Sequence, residues 1–237
     1  MGYQMETLKM EAFTEYTFLS GLRRGPEGGL AWIAAKADLE ENGYQRNLWL
    51  KPQDGEAYQL TGDGKTGGFL WDGPRTLLFS SGRDPELKKL SESGEEGTTF
   101  YRMDLGAGEA RKAFGVPLSA SLLDKVAPGK YLLRVNWDLR FSKAYQLKGS
   151  AKETLLKEKK EEQDYQVLDE MPFYFNGEGY VNKHRTAIFL YEEEGGKLTR
   201  LTKENFDVEA AHLSADGKSL LFTGESYTVR RKLRSGV

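Results

Sequence analysis

Hydrolytic chemistry would begin at serine, histidine and carboxylate side chains, and their spacing in this chain argues against it. A serine nucleophile of the strand-to-helix type sits in Gly-x-Ser-x-Gly, a sharp turn that exposes its oxygen beside an oxyanion hole. The nearest strings, Phe79-Ser80-Ser81-Gly82 and Gly224-Glu225-Ser226-Tyr227, each lack a required glycine. A general base would have to be His184 or His212, the two histidines of the chain. They stand 28 positions apart with no His-x-x-x-His pair, a poor metal set. His212 falls in the apolar run Val208 to Leu213 and reads as a half-buried strand residue; His184 reads as a surface residue. Gly62-Asp63-Gly64-Lys65-Thr66-Gly67-Gly68 misses the spacing of a phosphate loop and opens a strand, not a helix. Asp216-Gly217-Lys218 is a hairpin tip without the further ligands of a calcium loop. One acidic pair stands out, Asp169-Glu170, set among aromatics and a proline. A carboxylate there could hold the positive amino terminus of a substrate through a charge-assisted bond. Arg185 could likewise meet a carbonyl or carboxylate. The plainer alternative makes these residues a local ion pair or a loop cap. The sequence thus offers no catalytic residue, no metal set and no cofactor motif, and Asp169, Glu170 and Arg185 as candidates for substrate binding.

Composition narrows what must position them. The chain has 237 residues, 38% hydrophobic and 30% charged, enough apolar material for a core. Aromatics at 12% and 27 glycines favour β-structure rich in turns. The net charge of -2 gives no basic excess to neutralise phosphates, so no nucleic-acid partner is expected. With no cysteine, disulfide scaffolds, thiolate zinc sites and cysteine nucleophiles are excluded. The start carries Glu6, Glu11 and Glu15 without an apolar run, and no window approaches 18 apolar residues. Neither a secretory signal nor a membrane span is read, and the cytoplasm is the expected location.

The strands recur as a unit. Gly68 to Trp71, the turn Asp72-Gly73-Pro74 and Thr76 to Ser80 are followed, after a charged loop, by Phe100 to Asp104, the turn Gly106 to Gly108, and Glu109 to Phe114. Four short strands with turn chemistry between them make one antiparallel sheet. A later copy runs through Ala120 to Leu123, Tyr131 to Val135, Ala187 to Tyr191 and Lys197 to Leu201. A further copy begins with Val208 to Leu213 and Ser219 to Thr223. An earlier one holds Leu30 to Ala34, Asn47 to Leu50 and Glu56 to Leu60. Two outer hairpins end alike, in Leu60-Thr61 and Leu201-Thr202. Tandem four-stranded sheets are the signature of propeller blades, each of which needs neighbours to cover its two apolar faces. The fold predicted is all-β, a partial β-propeller of about three and a half four-stranded blades. Closed rings typically hold roughly 4–8 blades, so residues 1–237 are expected to be the N-terminal part of a longer propeller. Open blade edges would favour self-association, and with it a homo-oligomer. The last stretch, Thr228 to Val237, is basic and unpatterned.

The third blade is interrupted between its second and third strands, from 139 to 185. Lys148 to Gln163 reads as a charged, solvated helix with Leu155 and Leu156 as its apolar residues. Ser150 and Glu153 have the spacing of a capping box. Asp164 to Tyr180 then packs aromatics around acidic residues and glycines.

These residues resemble a known family. Val167-Leu168-Asp169-Glu170-Met171-Pro172-Phe173, Asn176-Gly177-Glu178-Gly179-Tyr180, and Arg185 before Ile188-Phe189-Leu190-Tyr191 are similar to the propeller of prolyl oligopeptidase (S9) family serine peptidases, nearest the acylaminoacyl-peptidase-like branch. Phe18 to Leu22, Ala37 to Tyr44, Asn47 to Leu50, Gln59-Leu60-Thr61 and Ser80 to Asp84 fit the same branch. The resemblance spans Phe13 to about Tyr227. It implies a two-part enzyme in which a propeller caps a C-terminal α/β-hydrolase domain bearing a Ser-Asp-His triad, limits access to small peptides and helps bind the substrate's N-terminal end. That hydrolase domain is absent from this sequence. The expectation is a non-catalytic, substrate-gating portion of a serine peptidase for short or N-acylated peptides, inactive alone, with the hydrolase domain and a peptide substrate as partners. Two other readings stand beside it: a stand-alone propeller-like module that binds protein or peptide, and an esterase-like enzyme using Ser81 or Ser226 with one histidine.

Overall fold

The turn signals in the sequence each join two antiparallel strands. The structure, a computed structural model, describes residues 9–162, 165, 167–171, 173–175 and 179–227; the basic stretch Thr228 to Val237 and the string Asn176-Gly177-Glu178 lie outside them. Strands β1 (Thr17–Arg24), β2 (Leu30–Asp38), β3 (Gly43–Lys51) and β4 (Tyr58–Gln59) form one sheet in chain order. A second follows as β5 (Thr66–Gly73), β6 (Thr76–Ser81), β7 (Thr98–Asp104) and β8 (Ala110–Val116). The charged connection inside it holds a helix, α1 (Pro85–Glu92). A third sheet takes β9 (Ala120–Ala127), β10 (Lys130–Asp138), β13 (His184–Glu192) and β14 (Lys197–Arg200). Between β10 and β13 come helix α2 (Gly149–Glu161) and a small hairpin, β11 (Tyr174–Phe175) with β12 (Gly179–Tyr180). β15 (Phe206–Leu213) and β16 (Leu220–Ser226) make a two-stranded sheet. Three four-stranded meanders and a fourth begun are propeller blades, as the repeat predicted.

The chain divides into two compact units. The first comprises residues 1–85 and 99–114. Its core joins the first two blades. Ala31 pairs with Leu50 and Ile33 with Leu48, so these four side chains share one face of the first sheet. Phe69, Phe79 and Tyr101 stand in register across the second sheet, beside Leu77 and Met103. The two faces close on one another as a single buried cluster. Removing such side chains from water is worth roughly 1.5–3 kcal/mol each. β1 was invisible to the repeat pattern because nearly all its residues are exposed, so its sequence carries no alternation of burial.

The Leu-Thr ending of the outer hairpins has a physical reason. Past β4, the Leu60 amide donates to the Leu48 carbonyl, and the Leu48 amide donates to Thr61 Oγ1 at 2.9 Å. Thr61 Oγ1 also lies 2.7 Å from Thr66 Oγ1, which starts the next blade. The side chain thus finishes a ladder that the two-residue strand leaves short.

The second unit comprises residues 86–98 and 115–237. There the same device recurs: the Leu201 amide donates to the Ile188 carbonyl, and the Ile188 amide to Thr202 Oγ1 at 3.2 Å. The third sheet buries Leu132 and Ile188 against Val208 of β15, with Leu190, Phe206 and Leu213 packed around them. His212 is exposed rather than half-buried, because it points from the open side of a two-stranded sheet. α2 is helical as expected but is not capped by Ser150. The cap position is Lys148, with no side-chain bond, and Ser150 lies inside the first turn, its carbonyl accepting from Thr154 Oγ1.

Candidate functional site

The pairing of β10 with β13 brings the candidate residues to one end of the third blade. Trp137 stands opposite Arg185 and Asp138 opposite His184, so Arg185 and His184 belong to the start of β13. Arg185 is only 4% exposed. A guanidinium so buried must be paired. Its Nη2 donates to both carboxylate oxygens of Glu170 at 2.8 and 2.9 Å, its Nη1 donates to the His184 carbonyl at 2.7 Å, and its face lies 3.7 Å from the ring of Tyr227. Its Nε is buried without a partner among the described residues.

Glu170 is saturated in return. Besides Arg185 it accepts the Lys183 amide and Lys183 Nζ, each at 3.1 Å. Burial pushes its carboxyl up, but the bonds from Arg185 and Lys183 outweigh that and hold it below the ordinary range. Asp169 pairs with Lys183 Nζ at 2.9 Å and is largely exposed. Buried Asn182 completes the arrangement: its Oδ1 accepts the amides of Asp169 and Glu170, and its Nδ2 donates to the Val167 carbonyl. Glu170 and Arg185 thus form an ion pair that ties Glu170 to β13, and Asp169 pairs with Lys183 just before that strand, the geometry of the ion-pair alternative raised from the sequence. Asn182 had no sequence signal, because an asparagine in a polar stretch looks like any loop residue.

Asp138 ends β10. Its Oδ1 accepts from the Arg140 amide and Nε, its Oδ2 accepts from Arg140 Nη2 at 2.8 Å, and His184 Nε2 lies 3.4 Å from Oδ2. Burial raises this carboxyl, but the His184 and Arg140 bonds prevail and bring it from 3.8 to about 2. His184 is thus engaged by a carboxylate.

Beside these residues opens a cleft of about 560 Å³. Glu170, His184 and Arg185 form one side. Ser119, Ser121 and Asn136 of the β9–β10 edge form another, and Asp207 and Tyr227 also line it, Tyr227 beside Arg185. Arg134 also lines it, and its Nη2 donates to the Val208 and Glu209 carbonyls at 3.2 Å, where β15 is bulged. Asp207 Oδ1 accepts the Thr186 amide at 2.7 Å, and its second oxygen has no partner among the described residues. Among the described residues the Ser119 hydroxyl, the Asn136 carboxamide and one Asp207 carboxylate oxygen are left open, while Ser121 Oγ donates to the Arg134 carbonyl at 3.5 Å. Such a set matches the donors and acceptors of amides better than a lone charge.

The serines weighed as nucleophiles are otherwise placed. Ser81 Oγ, in the first unit, donates to Asp63 Oδ2 at 3.1 Å and accepts from the Arg83 amide and Nε at 3.2 Å, a structural junction. Ser226 closes β16 opposite Phe206. Among the described residues no group of three or more acidic or histidine side chains is placed to hold a metal. No described helix is long and apolar enough to cross a membrane.

No family model matches the sequence, and comparison with curated proteins gives no significant match. Solved structures do match. The fold is similar to uncomplexed acylaminoacyl peptidase from Pyrococcus horikoshii, with a TM-score of 0.55 and 14% identity over 89% of this chain and 28% of that one. The orthorhombic form of the same protein gives 0.53 and 14% over 81% and 26%. An acylaminoacyl peptidase in complex with Z-Gly-Gly-Phe-chloromethyl ketone gives 0.54 and 14% over 92% and 33%. The chain therefore spans about a quarter to a third of the length of these proteins, and it shares the fold of their propeller regions.

Proposed function

We propose that this chain is the propeller portion of a serine peptidase acting on short or N-acylated peptides, that it supplies no catalytic group, and that it admits and positions the peptide. The observation that carries the reading is the fold likeness to acylaminoacyl peptidases along most of this chain but under a third or so of theirs. The cleft at the end of the third blade is the place for the peptide's main chain. Ser119, Ser121 and Asn136 would meet its amides and Asp207 an amide or ammonium proton. Arg185 and Glu170 build the wall rather than touch the ligand. The remaining parts of the enzyme, including a hydrolase domain, are partners outside this sequence, and the cytoplasm is the compartment we propose.

The test is titration of the chain with acetylated and unblocked tripeptides, followed by NMR shifts, beside an assay of hydrolysis. The expected result is binding of at least one series, weakened by Asn136→Ala and Asp207→Asn, with no turnover. Turnover by the chain alone would overturn the division of labour, and absence of binding by either series would overturn the cleft's role. A second reading, a stand-alone peptide-binding module, is favoured by one observation: every residue lining the cleft belongs to the second unit of this chain.

A further inference from the structure

Helix α2 is thirteen residues long and none of them is buried. A helix of this length is marginal in isolation and depends on packing. Its N-terminus has no side-chain cap, so its first amides are left to water. Gly149, at its start, has φ +57° and open space where a Cβ would stand, as a pivot would. What holds the helix down is charge. Lys152 Nζ bonds Glu95, and Lys159 Nζ bonds Glu96 at 3.0 Å, both acids lying in the connection between α1 and β7. Arg140 reaches Glu162 at 3.6 Å, and Lys159 stands 5.8 Å from the ring of Phe141. Leu155 and Leu156 are half-buried, and Leu156 lines a space of about 40 Å³ with Trp137, Phe141, Ser142 and Tyr145.

Beside this space lies a second cavity, of about 310 Å³, walled by Lys159 and Glu162 on one side and by Asp138, Arg140 and His184 on the other. It shares Ser119, Asn136 and His184 with the cleft. Lifting α2 would therefore open a side entrance to the cleft. We propose that α2 is a charge-held lid on that entrance, hinged at Gly149 and released as its ion pairs weaken. The lid stands on the geometry of α2 alone; its role as a gate to a peptide site rests on the function proposed above. Partly exposed ion pairs are individually weak and are screened by salt, whereas blade strands are held by buried ladders, so α2 is the element that opens first.

The chain has no cysteine, so Ser142→Cys places a single thiol beneath α2. Its labelling by an uncharged maleimide reads lid opening, with the urea-unfolded chain at matched salt as the reference rate. Labelling is expected to accelerate between about 0.1 M and 1 M NaCl, as the Debye length falls from roughly 10 to 3 Å. Removing both lysines, K152S with K159S, is expected to raise the low-salt rate roughly 2- to 30-fold and to abolish most of the salt response. The exchanged pair Lys152→Glu with Glu95→Lys should restore slow labelling. A rate indifferent to salt and to K152S/K159S would overturn the lid, as would amides of α2 exchanging only with global unfolding. A responsive thiol in a chain that binds no peptide would leave the lid standing and refute the peptide reading instead.

Discussion

Replacing Thr61 by valine tests the account of how one blade is fastened to the next. The two side chains have nearly the same shape, so no cavity forms and only the hydroxyl is lost. Leu48 is fully buried, and Thr66 is 1% exposed. The Leu48 amide and the Thr66 hydroxyl both lose their partner, and each orphaned buried group costs about 1–3 kcal/mol. Thr61→Val should therefore destabilise by about 2–6 kcal/mol. Thr66→Val leaves the Leu48 bond intact and should cost about 1–2 kcal/mol. In the double variant only the Leu48 amide remains orphaned. It should be more stable than the sum of the single effects predicts, by about 1 kcal/mol or more. The assay is urea unfolding followed by tryptophan fluorescence, since Trp32, Trp49 and Trp71 lie in the same unit. Strict additivity of the two substitutions, or a Thr61→Val loss below about 0.5 kcal/mol, would refute the shared hydroxyl network.

The same argument carries to Thr202→Val, which orphans only the Ile188 amide; a loss of about 1–3 kcal/mol in the second unit, read by the fluorescence of Trp137, is expected. Asp138 is depressed from 3.8 to about 2 in the folded chain, so its contribution is present above about pH 4 and is lost as pH falls through the folded value. Asp138→Asn should cost about 1–2 kcal/mol near neutrality, allowing for solvent screening, and should flatten the acid limb of a stability-against-pH curve between about pH 4 and 2. Glu170→Gln strands the buried charge of Arg185 and should cost about 2 kcal/mol, less than the roughly 3–5 kcal/mol of a fully buried pair because Glu170 keeps some contact with water. Limited proteolysis should then cut first within 165–180; unchanged cleavage would mean that this ion pair does not fasten the segment.

The repeat, the turns and the interrupted third blade were legible because they are local. Strand period, Asp-Gly and Gly-Gly turns and a run of helix formers each act within a few residues, and the chain folds as they direct. Even the Leu-Thr endings could be seen as a pattern, although the pattern did not say that the hydroxyl completes a short strand. β1 escaped because exposure on both faces erases the alternation that announces a strand. Ser150 has the spacing of a cap yet lies inside the helix, because spacing alone cannot show where the first helical turn begins. At the candidate site the residue types were right, but their roles depended on distance along the fold. Asp169 and Glu170 could meet a ligand or a local cation on sequence grounds alone, and only the tertiary structure shows Arg185 against Glu170 and Lys183 against both. Asn182 and Asp207 gained their roles from partners 12 to 21 residues away, beyond the reach of strand period and turn chemistry. The sequence by itself determined most of the elements, because burial period and turn chemistry are short-range. Tertiary structure alone decided which polar groups were neutralised and which stayed open, because that depends on contacts between residues far apart in the chain.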